Sequence, residues 1–96
     1  MRFDGFDWDA GNRDKCAKHG VSVGEIEALF LGSPMIEPDP AHSAREVRLR
    51  AIGRVGLRWI FLVFTFRDDA GSRLIRPISA RYMHRKEVAF YEKSHP

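Results

Sequence analysis

The sequence has a single cysteine and no long apolar run. Cys16 cannot form an intramolecular disulfide, so nothing indicates an oxidising compartment. No hydrophobic stretch approaches the roughly eighteen residues that cross a bilayer. The first residues, MRFDGFDWD, are acidic and unlike a signal peptide. We therefore expect a soluble, cytoplasmic protein with no membrane partner.

The familiar motifs of metal and nucleotide chemistry are also missing. The histidines at 19, 42, 84 and 95 lack ligand spacing, and neither H-E-x-x-H nor C-x-x-C occurs. Neither G-x-x-x-x-G-K-[ST] nor G-x-G-x-x-G is present, and there is no G-x-S-x-G hydrolase motif. We expect no metal and no cofactor.

Charge is distributed unevenly along the chain. Its 96 residues are enough for one domain, which we expect to span 1–96. Residues 1–44 carry four Lys/Arg against eight Asp/Glu, whereas residues 45–96 carry twelve against five. The basic second half predicts a polyanionic or acidic partner.

The first half has the signals of a helical hairpin. A short strand at 6–9 ends at Asp9, which should cap a helix that runs to about His19 and is closed by Gly20. Ser22 and Glu25 form an S-x-x-E capping box for a second helix, which a Gly-Ser-Pro sequence stops.

The second half has the pattern of an antiparallel sheet. Residues 45–52 alternate, with Val47, Leu49 and Ala51 on one face. Residues 57–66 are apolar on both faces, which predicts the central strand. The other predicted elements are a brief strand and exposed loop at 34–43, turns at 53–56 and 68–72, a strand at 74–80 made irregular by Pro77, and a helix from about Tyr82 to Lys93.

The predicted fold class is therefore α+β: a helical hairpin followed by an antiparallel meander and a C-terminal helix. The helices should cover the apolar face of the sheet and leave a polar face open. That face would carry Glu46, Arg48 and Arg50, with Arg67 and Arg81 just past the ends of two neighbouring strands.

These polar residues are the types that cleave RNA without a metal. Such cleavage needs a base for the 2′-hydroxyl proton, an acid for the leaving oxygen, and cations for the phosphate. The chain offers arginines and the residues Glu46, His19, His42, His84 and Tyr91. The junction RPISARYMHRKE at 76–87 could hold a phosphate through Arg81, Arg85 and Lys86. A solvated strand face next to a polar helix explains the same pattern.

Several segments together carry a family resemblance. They are WDAGNRDKCAKHGVS at 8–22, DPAHS at 39–43, E.R...IG at 46–53, VFTFR at 63–67 and IRPISARYMHRKE..FYE at 75–92. In this order they resemble the BrnT family of bacterial toxins. The resemblance implies a RelE-like fold, RNA cleavage that arrests growth, and neutralisation by BrnA, a ribbon-helix-helix antitoxin. It also implies operator DNA binding only through the antitoxin, and a homodimer or a heterotetramer with antitoxin.

By position, the resemblance implies functional roles for seven polar residues: Lys18, His19, Glu46, Arg48, Arg67, Arg81 and Tyr91. Arg81 would bind phosphate beside a helix N-terminus, or else pair with Glu46 or Glu87. Arg67 would be a second phosphate clamp, or a cap for the following turn. Arg48 and Arg50, with Arg85 and Lys86, would bind the RNA backbone.

The acid and base assignments stay open at this stage. Glu46 could be the general base, although neighbouring arginines would weaken it in that role. His19 could be acid or base, or a helix C-terminal cap. Tyr91 could donate to the leaving oxygen, or pack in the core. The two functions that the sequence supports are a metal-independent endoribonuclease toxin and a non-catalytic module, a degenerate toxin that binds antitoxin or nucleic acid.

Overall fold

The computed structural model describes residues 1–42 and 45–94, and it confirms an α+β fold. Ser43 of the predicted loop and His95 lie outside the described residues. The RelE-like relationship stays a prediction. The elements are β1 (Gly5–Phe6), α1 (Ala10–Ala17), α2 (Val23–Leu31), β2 (Met35–Pro38), a 3-10 turn (Pro40–His42), β3 (Leu49–Val55), β4 (Arg58–Asp69), β5 (Ser72–Tyr82) and α3 (Arg85–Ser94).

Local capping explains where the first two helices begin and end. The Asp9 carboxylate accepts from the Asn12 backbone N–H at 2.9 Å, and the Asn12 side chain accepts from the Asp9 N–H at 2.7 Å. Ser22 and Glu25 form the same reciprocal pair at α2. Gly20 has a φ of +87°, a conformation that favours glycine. The two predicted N-caps and the left-handed Gly20 are confirmed, but α1 ends at Ala17, two residues before the predicted end.

The sheet has the strand order β1-β5-β4-β3-β2. Strands β2 to β5 form the predicted antiparallel meander with β4 at its centre. Short β1 pairs parallel to β5, with Phe6 opposite Ile75, and this parallel pair was not predicted. The predicted turn at 53–56 was wrong, because β3 continues to Val55 and the reversal occurs at residues 56 and 57.

Pro77 lies beside a bulge in β5, as its missing N–H predicted. Pro77 pairs with Phe64 and Ser79 with Val63, so Ile78 is the extra residue. The Asn12 side chain donates to the Pro77 carbonyl and to the Asp7 carbonyl, at 2.9 Å each. The start of α1 is thereby tied to the irregular part of the strand.

One face of the sheet is the core. Phe64 of β4, Ile26 of α2 and Cys16 of α1 are among its fully buried side chains. Leu49 and Ala51 face this core as predicted, but Val47 is 73% exposed. The prediction failed there because residues 45–48 precede β3 and form no strand.

The opposite face, which we call the open face, carries the alternate β4 residues, including Phe61 and Arg67. Helix α3 lies against this face, since Glu87 contacts Arg81 of β5 and Tyr91 contacts Glu37 of β2. The expectation that every helix covers the apolar face was therefore wrong for α3. None of the ten α3 residues, all within the described part of the chain, is fully buried, so polar contacts position this helix.

Candidate functional site

Helix α1 lies beside the part of β5 that β1 leaves unpaired. Its start is bonded to Pro77, and just beyond its end the Gly20 carbonyl accepts from the Tyr82 hydroxyl at 3.3 Å. Lys15 of α1 and His19, in the turn just after it, each line a cleft that β5 also borders.

The first cleft, which we call the Arg81 cleft, has a volume of about 320 Å³. It brings together three predicted site residues that are distant in sequence, because β5, β3 and the end of α1 meet there. Its polar lining consists of His19, Asp39, Arg50, Ser79 and Arg81. The Phe61 ring lies between the arginines, with the Arg81 guanidinium carbon 4.5 Å and that of Arg50 5.7 Å from its centroid.

Arg81 is held by a two-pronged ion pair with Glu87. Its Nη1 and Nη2 donate to the two carboxylate oxygens at 2.8 and 2.9 Å. Glu87 also accepts from the His84 backbone N–H at 2.9 Å, so it caps α3 as well. The hydrogen bonds from Arg81 lower the pKa of Glu87 to about 2, and Glu87 in turn raises the pKa of Arg81. The sequence suggested Glu46 or Glu87 as the ion-pair partner of Arg81, and in the structure Arg81 pairs with Glu87.

Arg50 is anchored by two carboxylates on the same face. Its guanidinium donates to Asp39 at 3.3 Å and to Glu37 at 3.2 Å, and Asp39 is only 2% exposed. The Tyr91 hydroxyl donates to the same Glu37 oxygen at 3.1 Å. Burial, reinforced by Glu37, raises the pKa of Tyr91. Tyr91 thus belongs to this polar network rather than to the hydrophobic core.

A second cleft, which we call the Glu46 cleft, also has a volume of about 320 Å³. The two Glu46 carboxylate oxygens lie 3.5 Å from the Nε of Arg48 and 3.7 Å from Nη2 of Arg67. Lys15 and Arg76 line the same cleft. Arg76 also pairs with Asp7 at 3.3 Å and with Asp9 at 2.8 Å. Glu46 is held among arginines, as the sequence predicted.

Arg67 and Arg81 lie within the neighbouring strands β4 and β5, which corrects the expectation that they lie just past the strand ends. Arg67 pairs with Leu74 and Arg81 pairs with Phe61, so the two arginines lie towards opposite ends of the sheet. The six steps along β4 from Phe61 to Arg67 span about 20 Å at roughly 3.3 Å per residue. One small phosphate cannot contact both arginines. A longer polyanion that lies along the open face could do so.

Four predicted residues line neither cleft: Lys18, Arg85, Lys86 and Tyr91, of which Tyr91 contacts Glu37. Lys18 and Lys86 are exposed, and Arg85 lines a groove at the far end of the sheet. Three residues that our sequence reasoning did not single out are part of the clefts: Lys15, Arg76 and Asp39. The spacing of Lys15 four residues before His19 was a usable signal. Arg76 shares the open face with Ser79 and Arg81. The sequence did not reveal this, because the extra residue Ile78 interrupts the simple alternation of faces along β5.

Neither a metal site nor a membrane-spanning helix is found among the described residues. Within 1–42 and 45–94, no three or more His, Cys, Asp or Glu side chains gather where they could hold a metal ion. No helix in that part of the chain has the length and apolar character needed to cross a membrane.

The open face thus presents arginines over about 20 Å, with an imidazole and a carboxylate beside them. Arginines gathered on one face of a small domain are typical of the class of proteins that bind polyanions such as nucleic acids. Residues 8–87 match the family described as ribonuclease toxin, BrnT, of type II toxin-antitoxin systems. The chain belongs to this family. Among curated proteins, no sequence matches the chain.

Proposed function

We propose that this protein is a metal-independent endoribonuclease toxin of the cytoplasm that cleaves RNA on the open face and thereby arrests growth. A BrnA-like ribbon-helix-helix antitoxin neutralises it, and the pair contacts operator DNA through the antitoxin. The observation that carries the proposal is the Arg81 cleft, where His19, Arg50 and Arg81 converge from three elements. Family membership supports the ribonuclease class.

The reaction proposed is attack of the RNA 2′-oxygen on the adjacent phosphorus. The 2′-proton passes to a base, the bond to the 5′-oxygen breaks, and that oxygen leaves with a proton from an acid. The products are a 2′,3′-cyclic phosphate and a 5′-hydroxyl, so no cofactor is consumed. Arg81 and Arg50 stabilise the charge that grows on the phosphate oxygens.

His19 is the better candidate for the base in this scheme. It is exposed and lines the same cleft as Arg81. Glu46 lies between Arg48 and Arg67, which suits it to positioning these arginines along the RNA backbone. Tyr91 is the proposed donor to the leaving oxygen, since a tyrosine hydroxyl carries its proton at neutral pH. Burial, reinforced by Glu37, raises the pKa of Tyr91 further.

Phosphate binding at Arg81 requires the ion pair with Glu87 to adapt. The pair uses two of the five guanidinium N–H donors, and both side chains are about one third exposed. A phosphate can approach the remaining donors or displace Glu87. Displacement would also remove the cap of α3, so RNA binding and the position of α3 are coupled.

The same ion pair favours a second candidate function, that of a non-catalytic module that binds antitoxin or nucleic acid. Arg81 is neutralised by Glu87, and Arg50 by Glu37 and Asp39. A face whose arginines stay paired with carboxylates would bind RNA weakly and would not catalyse cleavage of the RNA backbone.

Growth on induction separates the two functions. We expect expression of the wild type to arrest growth, co-expression of the neighbour-encoded antitoxin to relieve the arrest, and Arg81→Ala to grow normally at the same protein level. Equal, unarrested growth of wild type and variant would contradict the toxin proposal and favour the binding module.

A further inference from the structure

A groove of about 330 Å³ lies outside both clefts, at the end of the sheet where the β3–β4 hairpin turns. It lies between the β3–β4 hairpin and the start of α3. Its apolar lining comes from Leu57 and Trp59 of the hairpin, Met83 after β5, and Val88 of α3. Nothing in the proposed cleavage reaction uses these side chains.

Leu57 is the most exposed large apolar residue described, at 94%. It follows Gly56, whose φ of +61° forms the tight reversal between β3 and β4. A hairpin tip is a place where a polar residue would serve the turn equally well. An apolar side chain that projects into solvent beside an apolar groove indicates a surface that another molecule covers.

The charged side chains that line the groove are Arg58 and Arg85, and exposed Arg54 pairs with Trp59 in the sheet. The carboxylate of Glu87, which precedes Val88, is paired with Arg81 at 2.8 Å. Glu25 accepts from the Tyr82 hydroxyl at 2.8 Å. Glu25 lies beyond the ring of Tyr82, whose face the Arg58 guanidinium covers at 3.3 Å. The mouth of the groove is therefore cationic.

We propose that this groove binds an acidic, amphipathic segment of the protein antitoxin, an inference that rests on the proposed function. An apolar side chain of the segment packs against Leu57 and Trp59, while its carboxylates pair with the arginine rim. Leu57, Met83 and Val88 offer no face on which an RNA base can stack, and Arg58 covers the face of the Tyr82 ring, which favours a protein occupant. A bound segment contacts Tyr82 and Met83, which connect Arg81 to α3, and also the first turn of α3, and so fixes the helix that carries Glu87 against Arg81.

The test is the affinity of the purified neighbour-encoded antitoxin, measured by titration calorimetry against three full-length variants. Leu57→Asp and Leu57→Lys place opposite charges at the same exposed site. Leu31→Asp is the matched control, because Leu31 is 79% exposed at the end of α2, away from the groove. Circular dichroism and thermal melts establish that the variants are folded.

We expect Leu57→Asp to weaken antitoxin binding roughly tenfold or more, the size of loss found at the centre of protein interfaces. Leu57→Lys should lose less than Leu57→Asp, and the difference should shrink in high salt. Leu31→Asp should bind within about twofold of the wild type. RNA cleavage by Leu57→Asp should equal that of the wild type.

Antitoxin binding by Leu57→Asp that equals the wild type would overturn the assignment of the groove. Weaker binding by Leu57→Lys than by Leu57→Asp would overturn the acidic character of the segment. Loss of RNA affinity with intact antitoxin binding would make the groove an RNA surface and also overturn it. A wild type that cleaves no RNA while Leu57→Asp loses antitoxin binding would contradict the proposed reaction and leave the groove assignment standing.

Discussion

Glu87 accepts hydrogen bonds from both Nη atoms of Arg81, at 2.8 and 2.9 Å, and one of the same oxygens caps α3 through the His84 N–H. A single carboxylate therefore links the proposed phosphate ligand to the start of the C-terminal helix. The hydrogen bond from the Tyr91 hydroxyl to Glu37 is a second contact between this helix and the open face. Under the proposed function, Glu87 competes with an RNA phosphate for Arg81.

Glu87→Gln should raise the affinity for RNA, because the neutral amide competes less well than a carboxylate for Arg81. We expect an increase of about two- to fivefold, the range for a partly exposed ion pair. Fluorescence anisotropy with a labelled single-stranded RNA measures it. Glu92→Gln, at an exposed position in the same helix, is the matched control and should leave the affinity unchanged. A decrease for Glu87→Gln would show that Glu87 organises Arg81 rather than competing for it.

The Arg81–Glu87 pair should also make stability depend on pH in acid. The folded state holds the pKa of Glu87 at about 2, below its ordinary value of 4.5. The pair therefore stabilises the fold above about pH 4.5, and this contribution is lost as the pH falls towards 2. The melting temperatures of the wild type and Glu87→Gln should differ at pH 6 and converge at low pH. A difference that is constant across this range would refute the linkage.

Lys15 tests whether RNA occupies the Glu46 cleft as well as the Arg81 cleft. If Lys15 contacts a phosphate, Lys15→Ala should weaken binding and reduce the slope of log affinity against log salt by about 0.7. Anisotropy titrations at several salt concentrations give this slope. Lys93→Ala removes the same charge at an exposed position near the end of α3 and should leave the slope unaltered. Equal slopes for wild type and Lys15→Ala would restrict the RNA to the Arg81 cleft.

Asn12 should matter for stability although it is remote from the proposed chemistry. It is 5% exposed, and its amide joins the start of α1 to the Pro77 carbonyl across 65 residues of sequence. Asn12→Ala leaves buried carbonyls without this donor and should cost about 1–3 kcal/mol of unfolding free energy. Urea denaturation measures the loss, with exposed Asp14→Ala in the same helix as the control. A loss below about 0.5 kcal/mol, the usual range for surface changes, would contradict this role.

Local signals predicted the fold well where neighbouring residues decide the structure. Asp9, Ser22 and Gly20 act within a few residues of chain, and the uniformly apolar β4 could only be central. The β1–β5 pair was not predictable in this way. It joins two residues to a partner about 69 positions away, and a strand that short has no periodicity to read.

The candidate site was predictable in composition but not in arrangement. Alternation placed Arg50 on the open face correctly, yet Arg67 and Arg81 were expected just past the ends of β4 and β5 and lie within these strands. Strand lengths decide this, and they depend on pairing: β4 runs three residues and β5 two residues further than expected. Helix α3 on the open face depends on the Glu87 and Tyr91 contacts, which no local pattern specifies.

The most direct test of the account is a time course of RNA cleavage by the purified protein in the presence of a chelator and without ribosomes. The account predicts that the wild type cleaves a labelled single-stranded RNA to products that end in a 2′,3′-cyclic phosphate. Arg81→Ala, matched for folding, should be slower by about 10²–10³-fold, the cost of removing one charge-stabilising donor. Arg13→Ala, which removes an exposed arginine on α1, should cleave at the wild-type rate. Intact RNA with the wild type, or equal cleavage by Arg81→Ala, would contradict the central claim.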